Sequence, residues 1–251
     1  MGKLAIGIDI GGTGIKGALV DVKKGELASE RVRVETPQGG RPNDIAEVVQ
    51  SLISQIDPDG KAEAVGICFP AVVQHGVTKS AANVSQEWID LDADELFTRL
   101  TGRNVHLIND ADAAGYAEMK FGVGRKQKGV TLMTTLGTGI GTALFVDGRL
   151  LPNTELGHIE IDGVDYETKA SFAAKEREEL DWQSWADRLQ TYYTRLEDLF
   201  SPDLFVVGGG VSKEHQDFLP LLSLRTMIVP ASLKNSAGII GAAVLALKHA
   251  K

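Results

Sequence analysis

Apolar residues along the first part of the chain alternate with polar ones or gather in short blocks. KLAIGIDI, IKGALVDV and ASERVRVET, within residues 3–35, read as three extended segments separated by GGTG and KKGEL, both turn-rich. The interval then lengthens from two to three and four. Ile45, Val48, Val49, Leu52, Ile53 and Ile56 predict a helix over Pro42–Ile56, with Asn43 and Asp44 as cap candidates. A buried strand over 62–69, a short capped helix in LDADELFTRLTG ending at Gly102, the strand NVHLIN and the helix DADAAGYAEMKFG follow. GVTLMTTLGTGIGTALFVDG again reads strand, glycine turn, strand. After a polar stretch comes a long helix including 178–200, whose Trp185, Leu189, Tyr192, Leu196 and Leu199 are spaced by four and three. That stripe reads as a core face, with a subunit contact as the alternative. The chain closes with the strand LFVVG, a glycine run, a strand near TMIVP and the apolar helix AGIIGAAVLALKHA. The pattern is mixed α/β with many β-hairpins.

One stretch occurs twice in altered form. GGTGIKGALVD, from Gly11, returns as LGTGIGTALFVD, from Leu136, so that Gly12 aligns with Gly137, Thr13 with Thr138, Gly14 with Gly139 and Ile15 with Ile140. The offset, 137 minus 12, is 125 residues in a chain of 251, and predicts two similar lobes that each offer a glycine-threonine turn to a shared cleft. Such turns suit phosphate, because glycine lets the backbone approach closely and a Thr hydroxyl adds a donor. Each turn taken alone is equally a plain tight hairpin. LGTGIGTA contains G-x-G, but its flanks read strand to strand, which argues against a dinucleotide fingerprint, and no P-loop motif is present.

Composition narrows the function classes. The net charge of -8 argues against a nucleic-acid-binding surface. Cys68 is the single cysteine and lies in the apolar run AVGICFP, so it reads as a buried inert thiol and excludes a disulfide framework or cysteine zinc cluster within the chain. No stretch reaches the ~20 apolar residues of a membrane helix, and cytoplasmic residence is expected.

Three groups carry candidate chemistry. Asp9 interrupts an apolar strand just before the first glycine turn; a buried carboxylate there is costly unless neutralised, and hydrated Mg2+ would do so, the alternative being a strand-end Asp that caps its own turn. Asn109 and Asp110 stand where the strand NVHLIN meets a helix. A carboxylate in that place could accept the proton of an attacking hydroxyl or simply cap the helix, a task open to Asp112 as well. Glu155 and His158 stand three apart in the glycine-containing ELGHIEIDG, close enough to reach one ligand; a zinc site lacks further ligands, whereas paired hydrogen bonds to adjacent sugar hydroxyls suit them.

IGIDIGGTGIKGALVD, LINDADAAGYAE, LGTGIGTALFVDG, ELGH and VVGGGVS together resemble the motifs of the ROK group of bacterial sugar kinases and repressors, within the actin-like ATPase superfamily. The resemblance implies the actin-like (ribonuclease H-like) α/β fold with two lobes and a central cleft, an N-terminal lobe of 1–110 completed by a C-terminal helix at 238–251, and a second lobe of 111–237. NTELGHIEIDG, LDWQSWADRL, LFSPDLFVVGGGVSK and VPASLKNSAGIIGAA look similar to the branch that phosphorylates glucose from polyphosphate, including members that also use ATP and mannose. Carried over by position, Asn83, Asn109, Asp110, Glu155, His158 and Glu167 would hold the hexose, with Asp110 as base. Asp9, through Mg2+, with Gly11, Gly12, Thr13, Gly14, Lys16, Gly137, Thr138, Gly139, Gly208, Gly209 and Gly210 would hold donor phosphates. Many members carry a cysteine-rich zinc motif after the GH pair, whereas GVDYETKASFAAK has no cysteine, so structural zinc is not expected. The resemblance also implies a homodimer. Lys16, Arg125, Lys126, Lys128, Lys169, Lys175 and Arg177 are candidates for a polyphosphate track or for ordinary surface charge. A non-catalytic sugar sensor and a strictly ATP-dependent hexokinase are the competing functions.

Overall fold

In the computed structural model, which describes residues 3–82 and 84–250, the chain opens on a hairpin. β1 (Leu4–Gly11) and β2 (Gly14–Asp21) pair antiparallel along their whole lengths, and β3 (Glu26–Leu27) and β4 (Val32–Val34) both add to β2. Of ASERVRVET only Val32–Val34 is strand, as β4; β3 lies in KKGEL, which the sequence pattern predicts as a turn, so the expected third strand is interrupted over 28–31. The Leu19 N–H, which a continuous strand would satisfy with a carbonyl, goes instead to the Ser29 hydroxyl at 3.0 Å.

α1 (Pro42–Ile56) has the expected bounds but a different cap. Arg41 is the N-cap with no side-chain bond, and Pro42 starts the helix with φ already set, so Asn43 and Asp44 lie inside the first turn. β5 (Val65–Phe69), the small hairpin of β6 (Val73–Gln74) and β7 (Val77–Thr78), α2 (Ala93–Thr101), β8 (Val105–Asn109) and α3 (Asp110–Phe121) follow. The sheet order is β3-β2-β1-β5-β8, with β5 parallel to both β1 and β8. Every residue of β5 is buried, as befits a strand covered on both faces. One cover is the last helix of the chain, Ala237–His249, which lies against the backbone of the sheet. A Cβ on Gly66 would fall 2.0 Å from the Ala242 carbonyl oxygen. On the rest of the core Trp88 is fully buried, 4.5 Å from the Phe69 ring, with its indole N–H donated to the Gly40 carbonyl.

The chain divides into two compact units, Met1–Ala117 with Ser236–Lys251, and Glu118–Asn235. In the second, β9 (Val130–Leu136), β10 (Ile140–Val146) and β11 (Arg149–Leu151) form consecutive hairpins. They are followed by β12 (Glu160–Ile161), β13 (Val164–Asp165), α4 (Glu167–Ala170), α5 (Phe172–Arg177), α6 (Trp182–Phe200), β14 (Leu204–Gly208), α7 (His215–Phe218) and β15 (Met227–Pro230), before the chain returns to the first unit as α8 (Ala237–His249). The sheet order β11-β10-β9-β14-β15 repeats the scheme of the first unit: two strands folded antiparallel off a central one, two more added parallel on its other side.

The long helix starts at Trp182 rather than 178. Glu179 has φ of 50°, which ends the preceding helical turn, and the Asp181 carboxylate caps α6 by accepting the Ser184 N–H. Trp185, Leu189, Tyr192 and Leu196 are fully buried within this unit, whereas Leu199 is 50% exposed. The stripe is core, and each such side chain contributes roughly 1.5–3 kcal/mol by leaving water. Glu118 is buried as well; its carboxylate accepts the N–H groups of Val123 and Leu233 and the Ser232 hydroxyl, which is how a charged group is tolerated there.

Candidate active-site groups

The first glycine turn is a two-residue loop. Gly11 pairs with Gly14, leaving Gly12 and Thr13 exposed between them. Across the hairpin Asp9 stands opposite Lys16, and Lys16 stands opposite Arg33 on β4. The Lys16 ammonium is 3.6 Å from the Asp9 carboxylate, which is half-buried, so the strand-end acid has a cation from its own hairpin. The guanidinium of Arg33 lies over Gly14 and donates to the Thr13 carbonyl at 3.3 Å, so it braces the turn; nothing in the sequence pattern singled it out.

Cys68 is buried as expected, and its thiol lies 3.6 Å from Asp9. Burial pushes that thiol well up, and the charges of Asp9 and Asp110 push it further. The two acids therefore share the neighbourhood of the end of β5.

At the end of β8 the sequence left the helix cap open. It is Asn109, buried, whose side-chain oxygen accepts the Asp112 N–H at 3.0 Å and whose amide donates to the Ala71 carbonyl at 3.1 Å. Asp112 is not the cap; it is a buried residue within α3. Asp110 is the first residue of that helix, half-buried, and accepts the N–H of Ala111 at 2.8 Å. Asn83 lies outside the described residues.

In the second unit the glycine turn has three residues, Gly137, Thr138 and Gly139, between the paired Leu136 and Ile140. Two structures converge on it. Gly208 ends β14 and Gly209 and Gly210 follow it; Gly209, at φ 85°, lies so close to the end of β9 that a Cβ would fall 2.2 Å from the Leu136 carbonyl oxygen. From the other direction comes the short 3-10 turn Leu156–His158; a Cβ on Gly157 would fall 2.0 Å from the Ile140 carbonyl oxygen. A Cβ at Gly137 or Gly210 would meet nothing within 4 Å, so these two backbones border open space.

Glu167 reaches the end of the glycine turn. It opens α4, and its carboxylate accepts the Ile140 N–H at 2.7 Å. Glu155, His158 and Glu167 feel one another. Desolvation by the surrounding protein raises the Glu155 carboxyl although its side chain has an open surface; His158 counters this and Glu167 adds to it. His158 is raised chiefly by a hydrogen bond to Asp165, 2.9 Å from its Nδ1, and also by the charges of Glu167, Asp165 and Glu155, against a smaller desolvation effect. Asp165 was not among the expected site residues; its signal was the Asp-Gly pair that turns the chain just before it.

Of the basic residues, Arg177 donates to the Thr168 carbonyl and to Glu178, whose carboxyl is held down to about 2 by Arg188 and Arg177, and Lys175 lies 4.4 Å over the Trp182 ring. Among the described residues no group of three or more His, Cys, Asp or Glu could hold a metal ion, and no helix is long and apolar enough to cross a membrane.

Duplicated sheets of this order, each with a glycine hairpin on its first two strands, define the actin-like ATPase fold. The ROK family model matches residues 5–175, and the chain belongs to the ROK family. It is 41% identical to a polyphosphate glucokinase of Mycobacterium tuberculosis over 239 residues, covering 95% of this chain and 89% of that one. It matches the crystal structure of an inorganic polyphosphate/ATP-glucomannokinase from Arthrobacter sp. strain KM with a TM-score of 0.94 and 53% identity, covering 98% and 99% of the two chains. A ROK family glucokinase from Streptomyces griseus, solved with glucose and AMPPNP, shares the fold at a TM-score of 0.83 and 24% identity over 98% of this chain and 99% of that one.

Proposed function

We propose that the protein is a glucokinase that transfers a phosphoryl group from inorganic polyphosphate or ATP to the 6-hydroxyl of glucose, with mannose as a further acceptor. The observation that carries the site assignment is the bond from the Ile140 N–H to Glu167, which ties the second glycine turn to the group formed by Glu155, His158 and Glu167. A turn suited to phosphate and a set of groups suited to sugar hydroxyls thus share one carboxylate. The 41% and 53% identities to polyphosphate-using relatives support the donor and the acceptor.

In this reading Asp110 is the base. The 6-hydroxyl oxygen attacks the terminal phosphorus, the bond from that phosphorus to its bridging oxygen breaks, and the hydroxyl proton passes to the Asp110 carboxylate. Asn109, with one amide hydrogen left after its two structural bonds, Glu155, His158 and Glu167 hold the hexose, with Asn83 a further contact. The turns Gly11 to Gly14 and Gly137 to Gly139, with Lys16 and Gly208 to Gly210, receive the phosphates on backbone N–H groups and one ammonium. Asp9 fits Mg2+ held largely by water and phosphate oxygens, since it offers one half-buried carboxylate beside an exposed turn and, among the described residues, no group of three or more His, Cys, Asp or Glu forms a cage around it. Bound there, the ion would neutralise charge on the transferring phosphates. The family resemblance supports a homodimer.

The test is the initial rate of glucose 6-phosphate formation by purified protein with Mg2+ and either polyphosphate or ATP as sole donor. Turnover with polyphosphate is expected; turnover with ATP alone would leave an ATP-dependent hexokinase, and glucose binding without turnover on either donor would mean a sugar sensor.

A further inference from the structure

β12 and β13 form a hairpin of two residues per strand, in register Glu160 with Asp165 and Ile161 with Val164. Its loop is Asp162 and Gly163, both left-handed at φ 52° and 75°, the conformation an Asp-Gly pair adopts in a tight hairpin turn. Packing does not account for it, because Val164 is 38% exposed. What the hairpin does is return the chain, so that Asp165 comes back onto His158 seven positions earlier, with Oδ2 2.9 Å from Nδ1.

The other carboxylate oxygen, Oδ1, accepts the Glu167 N–H at 3.1 Å, and the Asp165 carbonyl accepts the Thr168 hydroxyl at 2.7 Å. Glu167 in turn accepts the Ile140 N–H of the second glycine turn. A single series of hydrogen bonds therefore runs from the His158 ring through Asp165 and Glu167 to the turn. A bond between two side chains this exposed contributes little to stability, so its consequence lies in orientation. An imidazole whose Nδ1–H is held by a carboxylate has its tautomer fixed and its Nε2 left for a ligand.

We propose that Asp165 is a positioning residue for the hexose: it holds the Nδ1–H of His158, presents Nε2 to a sugar hydroxyl, and keeps that ring in register with Glu167. The proposal rests on the reading of His158 as a hexose contact. The charged groups facing His158 are Asp165 on β13, Glu155 ahead of the 3-10 turn and Glu167 on α4, all acidic. Removal of Asp165 therefore leaves a ring still surrounded by carboxylates but with neither nitrogen assigned.

Asp165→Ala and Asp165→Asn test this in two measurements. The first is the NMR titration of the His158 ring nitrogens in sugar-free protein. The second is steady-state kinetics with glucose and donor varied separately. In the parent protein the neutral ring is expected as the Nδ1–H tautomer. In Asp165→Ala the titration midpoint falls, the tautomer moves toward Nε2–H, and KM for glucose rises about 10-fold while kcat and the donor KM stay within about twofold. Asp165→Asn, whose amide oxygen can still accept, lowers the midpoint but retains part of the tautomer and of the glucose affinity, which separates orientation from charge. An unchanged tautomer, an unchanged glucose KM in Asp165→Ala, or a donor KM that rises in step with that for glucose would each overturn the proposal. His158→Ala keeps the two ideas apart: an unchanged glucose KM there removes His158 from the hexose site, whatever Asp165 does to the ring.

Discussion

The two glycine-threonine hairpins descend from one pattern and are built differently. In the first, Gly11 pairs with Gly14 and the loop has two residues; in the second, Leu136 pairs with Ile140 and the loop has three. By the same 125-residue offset Asp9 corresponds to Thr134, yet Asp9 faces Lys16 across its hairpin while Thr134 is buried, with its hydroxyl 2.6 Å from that of Tyr193. Lys16 corresponds to Gly141, which has no charge to offer. The repeat thus preserves the strand scheme and the turn and places the ionised strand pair in one unit only. The difference teaches a division of labour: the first unit carries the carboxylates proposed for metal and proton transfer, and the second binds its turn to the groups proposed to hold the sugar.

The division predicts different kinetic signatures, the largest from the first unit. Asp110→Asn should lower kcat about 100 to 10,000-fold, the range for losing an acid-base partner, while glucose binding measured by calorimetry stays near that of the parent. Glu167→Gln should act mainly on the glucose KM. Near-normal turnover in Asp110→Asn would move the base elsewhere.

A sharper break uses the equivalent glycines Gly14 and Gly139. A Cβ on Gly14 would meet the Arg33 guanidinium at 2.9 Å, and one on Gly139 would meet the Glu167 carboxylate at 2.5 Å. Both obstacles are ends of flexible side chains, so each alanine variant should fold and displace its neighbour. Gly14→Ala is expected to raise the donor KM and spare that for glucose. Gly139→Ala should raise the glucose KM about 10-fold, the loss of one charge-assisted hydrogen bond. Equal effects of the two variants on both KM values would erase the distinction between the turns. Gly209→Ala in contrast should be a stability variant, costing about 1–3 kcal/mol in urea unfolding, because it combines φ of 85° with a Cβ 2.2 Å from a backbone oxygen.

Why the sequence revealed some of this and not the rest follows from the range of the forces involved. Periodicity placed α1, α2, β8 and the two hairpins because burial of an amphipathic face is written in the spacing of its own residues. The start of α6 was missed because Glu179 and Asp181 act through one backbone angle and one cap, which interrupt an otherwise continuous polar helix pattern. The cap of α3 is open among neighbours in the sequence because Asn109, Asp110 and Asp112 all have capping chemistry, and the bond that holds Asn109 in the capping place goes to the Ala71 carbonyl, 38 residues away. The short spacing of Glu155 and His158 brought them to notice, whereas Glu167 came from the family resemblance. Asp165 and Arg33 escaped because each matters through a hairpin partner: the Asp-Gly turn for one, the Lys16 register for the other.

The smallest expected effect tests whether the His158 and Asp165 pair is an instrument of orientation or a structural bond. The folded imidazole is raised above its ordinary value of 6.5, so the stability it contributes is present below that value and is lost as pH rises through the folded one. With both side chains exposed by 54% and 42%, screening limits the contribution to about 0.5 kcal/mol. Urea unfolding of the parent and Asp165→Ala should therefore differ slightly at about pH 6 and converge above the folded value. A gap of several kcal/mol, or one that persists at high pH, would mean that Asp165 holds the β12 and β13 hairpin together through its backbone contacts, and that its bond to His158 is a by-product of the fold.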